Sequence, residues 1–79
     1  MAVKDSKKSK FLNAFGQNLA ELRKRKGVSQ EKLSFDAGMD VTTISKIERG
    51  LLNISVYNAH RISAALEIPY RDLFDFNLK

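Results

Sequence analysis

The segment from Gln30 to Arg49 constrains the fold more than any other part of the sequence. Two short helical patterns lie on either side of Gly38, with only Met39 and Asp40 between them. A glycine at this point favours the left-handed conformation that ends a helix, and an aspartate is a good N-cap for the next one. Two helices joined so tightly pack at a steep angle, with Ser34 as the small residue at their crossing. The required apolar contacts are available at Leu33, Ala37, Met39, Ile44 and Ile47.

Three further helical patterns surround this pair. In the first helix, apolar residues recur at helical spacing at Phe11, Phe15, Leu19 and Leu22. Gly27 ends that helix, and Ser29 is the expected N-cap of the second. Ser55 is the expected N-cap of a fourth helix that runs to Leu66, and Pro69 precedes a short fifth helix at about residues 70–74. The predicted fold class is therefore all-α, a compact bundle of five helices.

The positive charge lies almost entirely in the first part of the chain. Residues 1–32 contain nine Lys or Arg and three acidic residues, whereas residues 33–79 contain five and six. Residues 1–9 are lysine-rich and lack helical periodicity, so we expect a flexible basic arm there and a folded domain over residues 10–79. A localised basic field is suited to a polyanionic partner.

Composition excludes several other classes of protein. The chain has no cysteine and a single histidine, which disfavours disulfides, a metal site and catalysis. It has no apolar run long enough for a membrane span or a secretory signal, so a cytoplasmic protein is expected. No nucleophile elbow, phosphate-binding loop or RNA-binding strand motif is present, and neither a cofactor nor a small-molecule ligand is expected.

The third helix, predicted from about Val41 to Arg49, has two unlike faces. At about 100° per residue, Ile44 and Ile47 define the buried side. The opposite side carries hydroxyl groups and cations at Thr42, Ser45, Lys46 and Arg49. Such side chains suit base edges and phosphates, so this helix is predicted to enter the major groove of double-stranded DNA.

The stretch GQNLAELRKRKGVSQEKLSFDAGMDVTTISKIERG, followed by NIS and RISAALEIPYRDLF, resembles the Cro/CI-type helix-turn-helix family of phage repressors and bacterial regulators. The most specific pieces are LRKRKGVSQEKL and ISKIERG. The resemblance implies a lambda-repressor-like fold in which helices 2 and 3 read DNA. It implies that Gln30 and Asn53 contact phosphates, that Thr42, Thr43 and Lys46 approach bases or phosphates, and that Arg23 and Glu48 form an internal ion pair.

Several positions depart from the family pattern. Leu51 and Leu52 occupy loop positions where polar or basic residues are usual, which leaves packing or contact roles open for them. Ile54 and Pro69 replace a common proline and a capping serine, and His60 replaces an aliphatic residue. Within the family, a chain of this size that ends just after helix 5 is similar to restriction–modification controller proteins, with small phage-type repressors almost as close. An antitoxin that binds a toxin and regulates its own operon is an alternative.

A homodimer is expected, because a single reading helix covers only a few base pairs. Family members commonly place two half-sites about one helical turn (~34 Å) apart on a pseudo-palindrome. The C-terminal part is rich in apolar residues, and Phe76 beside Leu78 would otherwise leave an apolar patch in water. The predicted interface consists of His60, Ile68, Tyr70, Phe74, Phe76 and Leu78. Leu73 is expected to belong to the core instead.

Overall fold

Five α-helices and their connections make up residues 6–78, the part of the chain that the computed structural model describes. They are α1 (Ser6–Arg25), α2 (Gln30–Ala37), α3 (Val41–Glu48), α4 (Val56–Leu66) and α5 (Tyr70–Leu73). No strand occurs among these residues. The prediction of an all-α bundle of five helices is confirmed.

Local sequence signals account for most of the helix ends. The hydroxyl group of Ser29 accepts a hydrogen bond from the backbone N–H of Lys32 at 3.0 Å, which caps α2. Gly38 ends α2 in the left-handed region, at φ 69°. Ser55 caps α4 in the same way as Ser29 caps α2. Asp40 occupies the N-cap position of α3, but its side chain makes no capping hydrogen bond.

The N-terminal boundary of the domain differs from the prediction. Helix α1 begins at Ser6, so residues 6–9 are its exposed first turn and are not part of an unstructured arm. Lysine has good intrinsic helix propensity, and a helix that is already formed extends through such residues at little cost. The absence of apolar residues was therefore a misleading signal here. The rest of the predicted arm, residues 1–5, lies outside the described residues.

The core is formed by all five helices. Leu19, Leu33, Ile44, Ile62 and Leu73, one from each helix, are completely buried. Helix α3 packs on α1 and α2, α2 packs also on α4, and α5 joins α4 to α1. The core position predicted for Leu73 is confirmed.

A glycine sets the distance between α1 and α3. A Cβ atom added to Gly16 would lie 2.6 Å from the backbone oxygen of Glu48, which is far inside van der Waals contact. The backbones of the two helices can therefore approach this closely only when residue 16 has no side chain. Ser34, the small residue expected at the α2–α3 crossing, is buried and donates its hydroxyl to the backbone oxygen of Glu31 at 2.7 Å.

The segment after α5 packs against α1. The ring of Phe76 lies 5.5 Å from that of Phe11 and 6.5 Å from that of Phe15, measured between centroids. Phe76 is half-buried on the core, and its predicted place in the dimer interface stays a prediction. Ile68, another residue predicted to form the dimer interface, is also half-buried against the core. The tail lacks helical periodicity, so its sequence did not indicate that it returns to α1.

Candidate nucleic-acid interface

Helix α3 presents a polar face to solvent. Its inner side is fixed by Ile44 and Ile47, which are buried. On its outer side Thr42, Lys46 and Arg49 are exposed, while Thr43 and Ser45 are half-buried. The structure thus brings together the five α3 candidates around one exposed helix face. Because the inner face is apolar and the outer face bears hydroxyls and cations, α3 can project donors into a groove.

A nearly buried ion pair holds α3 from behind. Arg23 donates from Nε to Glu48 Oε2 at 2.6 Å and from Nη2 to Oε1 at 3.1 Å. The side chains of Arg23 and Glu48 are only 11% and 7% exposed, and Nη1 of Arg23 also donates to the backbone oxygen of Val28 at 2.8 Å. This bidentate arrangement connects the end of α1 to the end of α3 and restricts the rotation of α3.

The hydrogen bond to Glu48 is the main cause of a raised pKa for the Arg23 guanidinium group, and burial opposes it. A base whose pKa is raised by folding contributes stability at every pH below its unfolded pKa. That contribution is lost only when the pH rises through the folded pKa. Because the ordinary pKa of arginine is already strongly alkaline, the stabilising contribution of Arg23 is constant across the neutral range.

Gln30 takes part in the same buried network. Its side-chain Nε2 donates to Glu48 Oε1 at 2.8 Å, and the residue is half-buried at the first position of α2. Glu48 therefore receives hydrogen bonds from α1 and α2 while it belongs to α3. The side-chain amide of Gln30 has a structural partner that its position in the sequence did not reveal. Its predicted contact with a phosphate stays a prediction.

The two leucines of the loop between α3 and α4 differ in burial. Leu52 is half-buried and packs against the core, whereas Leu51 is exposed. Asn53, the predicted phosphate ligand of this loop, is exposed. Gly50 begins the loop at φ 77°, and any side chain there would collide with that of Asn13. The path of the loop past α1 is thus fixed at Gly50, and it leaves Leu51 and Asn53 in solvent.

Arg61 connects α4 to the turn of the helix pair. Its Nε donates to the backbone oxygen of Ala37 at 2.9 Å, and its Nη2 donates to that of Gly38. The guanidinium also lies 5.4 Å above the centroid of the Tyr57 ring. The end of α2 is therefore held by a cation from another helix, which suits the negative end of a helix dipole. Its sequence position gave no signal for this role.

Two exposed apolar residues near the helix pair were not among the sequence candidates. Val41, the first residue of α3, is 37% exposed, and Phe35 on α2 is 84% exposed. Neither residue has a side-chain donor or acceptor, so the pattern of hydrogen-bonding groups along the sequence does not indicate them. On the helical wheel Val41 lies about 60° from Ile44 and beside Glu48, so its spacing places it towards the inner side of α3.

Within residues 6–78, no group of three histidine or acidic side chains is placed to hold a metal ion. No helix in this range has both the length and the apolar character needed to cross a membrane.

A short helix, a left-handed glycine turn and a second helix with an exposed cationic face define a DNA-binding helix-turn-helix protein. The chain belongs to the helix-turn-helix family, whose sequence profile matches residues 19–73. It is a DNA-binding transcriptional regulator, as the Cro/CI-type resemblance implied.

Similar proteins include several controllers. The chain is 46% identical over 63 residues to the control protein C.BamHI of Bacillus amyloliquefaciens, covering 78% of each chain. It is 43% identical over 61 residues to the control protein C.MunI of a Mycoplasma species, covering 76% of this chain and 82% of the relative. Its structure matches that of the restriction-modification controller protein C.AhdI from Aeromonas hydrophila with a TM-score of 0.79 at 46% identity, covering 80% of this chain and 96% of the other. These comparisons give no support to the antitoxin alternative.

Proposed function

We propose that this chain is a controller protein of a restriction–modification system that binds a pseudo-palindromic operator as a homodimer. The observation that carries the proposal is the α3 helix, whose outer face is polar and cationic and whose inner face is held by Arg23, Glu48 and Gln30. The similarity to C.BamHI and C.AhdI supports the regulatory context. Genes for a methyltransferase and an endonuclease beside the gene for this chain would support that context, and a phage operon would contradict it.

The proposed contacts with DNA fall into two kinds. Thr42 and Lys46 are exposed on α3, and Arg49 is exposed at its C-cap; all three are proposed to approach base edges, with Thr43 and Ser45 at the margins of that face. Gln30 and Asn53 are proposed to contact phosphates on either side of the groove. Gln30 stands at the start of α2, where unpaired backbone N–H groups and the helix dipole favour an anion. Phosphate contacts set the position of the helix but carry no sequence information.

The dimer is proposed to form through an apolar groove lined by Val56, Tyr57, His60, Tyr70 and Phe74, which we call the α4–α5 groove. Val56 is 89% exposed and Tyr57 66% exposed, although both are bulky and belong to one helix. His60 Nδ1 and the hydroxyl of Tyr70 are hydrogen-bonded at 2.6 Å across the groove. A monomer rarely leaves such a patch in water, and a second copy would cover it. Leu78 is also exposed, and we propose that it lies at the edge of the dimer interface.

Base reading is tested with one lysine on α3 and one elsewhere. Lys46→Ala should weaken binding to the preferred duplex by roughly 1–3 kcal/mol and relax preference at one base pair, if Lys46 contacts a base edge. Lys24→Ala, at an exposed position near the end of α1, is the control and should leave the preference unchanged. The preferred duplex is obtained by selection from random sequences. Equal affinity of the unmodified chain for every duplex would contradict the proposed function.

Dimerisation is tested with two exposed aromatic residues. Tyr57→Ala should raise the dimer dissociation constant about tenfold or more, because an aromatic residue at the centre of an interface contributes heavily. Phe35→Ala removes a residue that is even more exposed but lies on α2, and should leave the constant unchanged. Sedimentation equilibrium over a concentration series measures both. A chain that stays monomeric at high micromolar concentration and binds its site as a monomer would remove the dimer from the proposal.

A further inference from the structure

We propose that His60 makes dimerisation depend on pH: the dimer forms while His60 is neutral and dissociates when this side chain is protonated. The proposal rests on the proposed function, because it requires the α4–α5 groove to be the dimer interface. It adds a regulatory input to that interface. His60 is the single histidine of the chain, and histidine is the side chain that ordinarily titrates between about pH 5 and 8.

His60 lies among the aromatic rings of the groove. Its ring is nearly parallel to that of Tyr57, with 6.1 Å between centroids, and lies 5.6 Å from that of Tyr70. The residue is exposed in the single chain, so a proton from solvent reaches it before association. A twofold dimer uses the same surface on both subunits, so the interface would contain His60 twice. Each association event therefore involves two groups that can take up a proton.

The groups around His60 carry no charge that would compensate a histidinium. His60 lines two cavities formed by α4, α5 and their connection, and Tyr57, Tyr70 and Arg71 are the other titratable or charged groups that line them. Arg61 adds a cation over the face of the Tyr57 ring. Among the described residues, neither cavity has an aspartate or a glutamate in its lining, and α2, which also packs on α4, contributes nothing to either.

The carboxylates at this end of the fold lie elsewhere. Asp72 and Asp75 line a different cavity, together with Arg71 and Phe74. A second copy of the chain brings the same tyrosines and arginines to the interface, so protonation of both His60 side chains would collect like charges there. Like charges repel one another more strongly once water has been removed from between them.

The hydrogen bond between His60 and Tyr70 does not determine the direction of the effect. His60 Nδ1 and the Tyr70 hydroxyl are 2.6 Å apart. A hydroxyl can donate or accept, so neutral His60 can accept from Tyr70 and protonated His60 can donate to it. The bond is compatible with both forms, and the cost of placing a cation in an apolar interface decides between them. Dimerisation is therefore strongest above the pH range in which histidine titrates and weakens as the pH falls through that range.

The experiment measures the dimer dissociation constant by sedimentation equilibrium at about pH 7.5 and about pH 5.5, at constant ionic strength. One unit below the ordinary histidine pKa of about 6.5, a histidine is protonated about ten to one. Exclusion of the charged form from the dimer should then raise the dissociation constant about tenfold for one histidine and up to about a hundredfold for two.

Two variants isolate His60 from every other group that titrates in this range. His60→Gln keeps a side chain that can hydrogen-bond to Tyr70 but takes up no proton, and His60→Phe keeps an aromatic ring beside Tyr57. Both should dimerise with the same dissociation constant at the two pH values, and both retain all the carboxylates of the chain. Far-UV circular dichroism at each pH should show unchanged helix content.

Several results would overturn the proposal while the dimer stands. They are an equal dissociation constant at the two pH values, a tighter dimer at the lower pH, a loss of helix at the lower pH, and a response in both variants equal to that of the unmodified chain. Tighter association on acidification would mean that a carboxylate of the second copy pairs with His60. A chain that is monomeric at high micromolar concentration at both pH values would show that the proposed dimer and this proposal are both wrong.

Discussion

The two exposed surfaces of this protein are built in opposite ways. The outer face of α3 is polar, and its orientation is set by buried groups behind it: the Arg23–Glu48 pair, Gln30 and the close approach at Gly16. The α4–α5 groove is apolar, and the polar restraints on its aromatic side chains are the bond between His60 and Tyr70 and the Arg61 guanidinium above the Tyr57 ring. Hydrogen bonding to bases demands accurate placement of donors, whereas burial of apolar area depends mainly on shape and extent. The buried polar contacts are therefore concentrated behind the surface that must place its donors accurately.

The largest effect should come from breaking the buried pair. Glu48→Ala leaves Arg23 as an uncompensated buried charge and should lower the free energy of unfolding by about 3–5 kcal/mol. Glu21→Ala is the matched control, because its pair with Arg25 is 3.7 Å long and exposed, and pairs of that kind contribute about 0–1 kcal/mol. Urea unfolding monitored by circular dichroism measures both. Similar losses for the two variants would show that α3 is not held by this pair.

Gly16→Ala should also lower the free energy of unfolding, by a somewhat smaller amount. The added Cβ would meet the backbone oxygen of Glu48, so α1 and α3 must separate, and overpacking of this kind costs about 1–3 kcal/mol. Gly27→Ala is the control, since its Cβ would meet nothing within 4 Å and only the positive φ opposes it. We expect Gly16→Ala also to lower DNA affinity, because α3 is displaced, while Gly27→Ala leaves affinity unchanged. If a folded Gly16→Ala variant binds DNA as tightly as the unmodified chain, the position of α3 relative to α1 does not determine the affinity for DNA.

Arg61→Met tests the connection between the two surfaces. It removes two hydrogen bonds to the end of α2 and should lower the free energy of unfolding by about 1–3 kcal/mol, the usual loss when backbone acceptors are left unpaired. Arg71→Met, on the exposed side of α5, should change it little. Amide hydrogen exchange should show faster opening of residues at the turn around Gly38 in Arg61→Met alone. Unaltered exchange at that turn would mean that α4 does not restrain it.

The sharpest separation of the two surfaces is expected from two phenylalanines in the tail. Phe76→Ala should lower the free energy of unfolding by roughly 2 kcal/mol, about half of what a fully buried phenylalanine contributes, and should leave the dimer dissociation constant unchanged. Phe74→Ala should weaken dimerisation more than stability, since Phe74 lines the α4–α5 groove. Thermal unfolding at a fixed low protein concentration and sedimentation give the two readouts. The reverse pattern would restore Phe76 to the interface.

The helices could be predicted because each has a periodic apolar face and most have an end signal. Ser29, Gly38 and Ser55 behave as their residue types indicate, and the polar face of α3 follows from its spacing. The position of the aromatic tail could not be predicted, because rings such as those of Phe76 and Phe11 pack through contacts distant in sequence that no local pattern encodes.

The site was predicted less completely than the fold. The Arg23–Glu48 pair present in the structure had been inferred by resemblance, but the hydrogen bond from Gln30 to Glu48 and the bonds of Arg61 to α2 had not. Each depends on where a long side chain ends, and several rotamers of such a chain are compatible with one sequence. Gly16 was missed for a related reason, since the sequence of one helix does not show how closely another approaches it.

The convergence of three helices on Glu48 has a consequence for how such a regulator diverges. The groups that orient α3 are all on its inner side, whereas Thr42 and Lys46 face outward and contribute nothing to that network. Under the proposed function, substitutions at Thr42 and Lys46 are expected to change the preferred operator and to leave the free energy of unfolding unchanged. Duplicated copies of the gene could acquire separate operators in one cell by changes at a few codons, with no compensating mutation in the core.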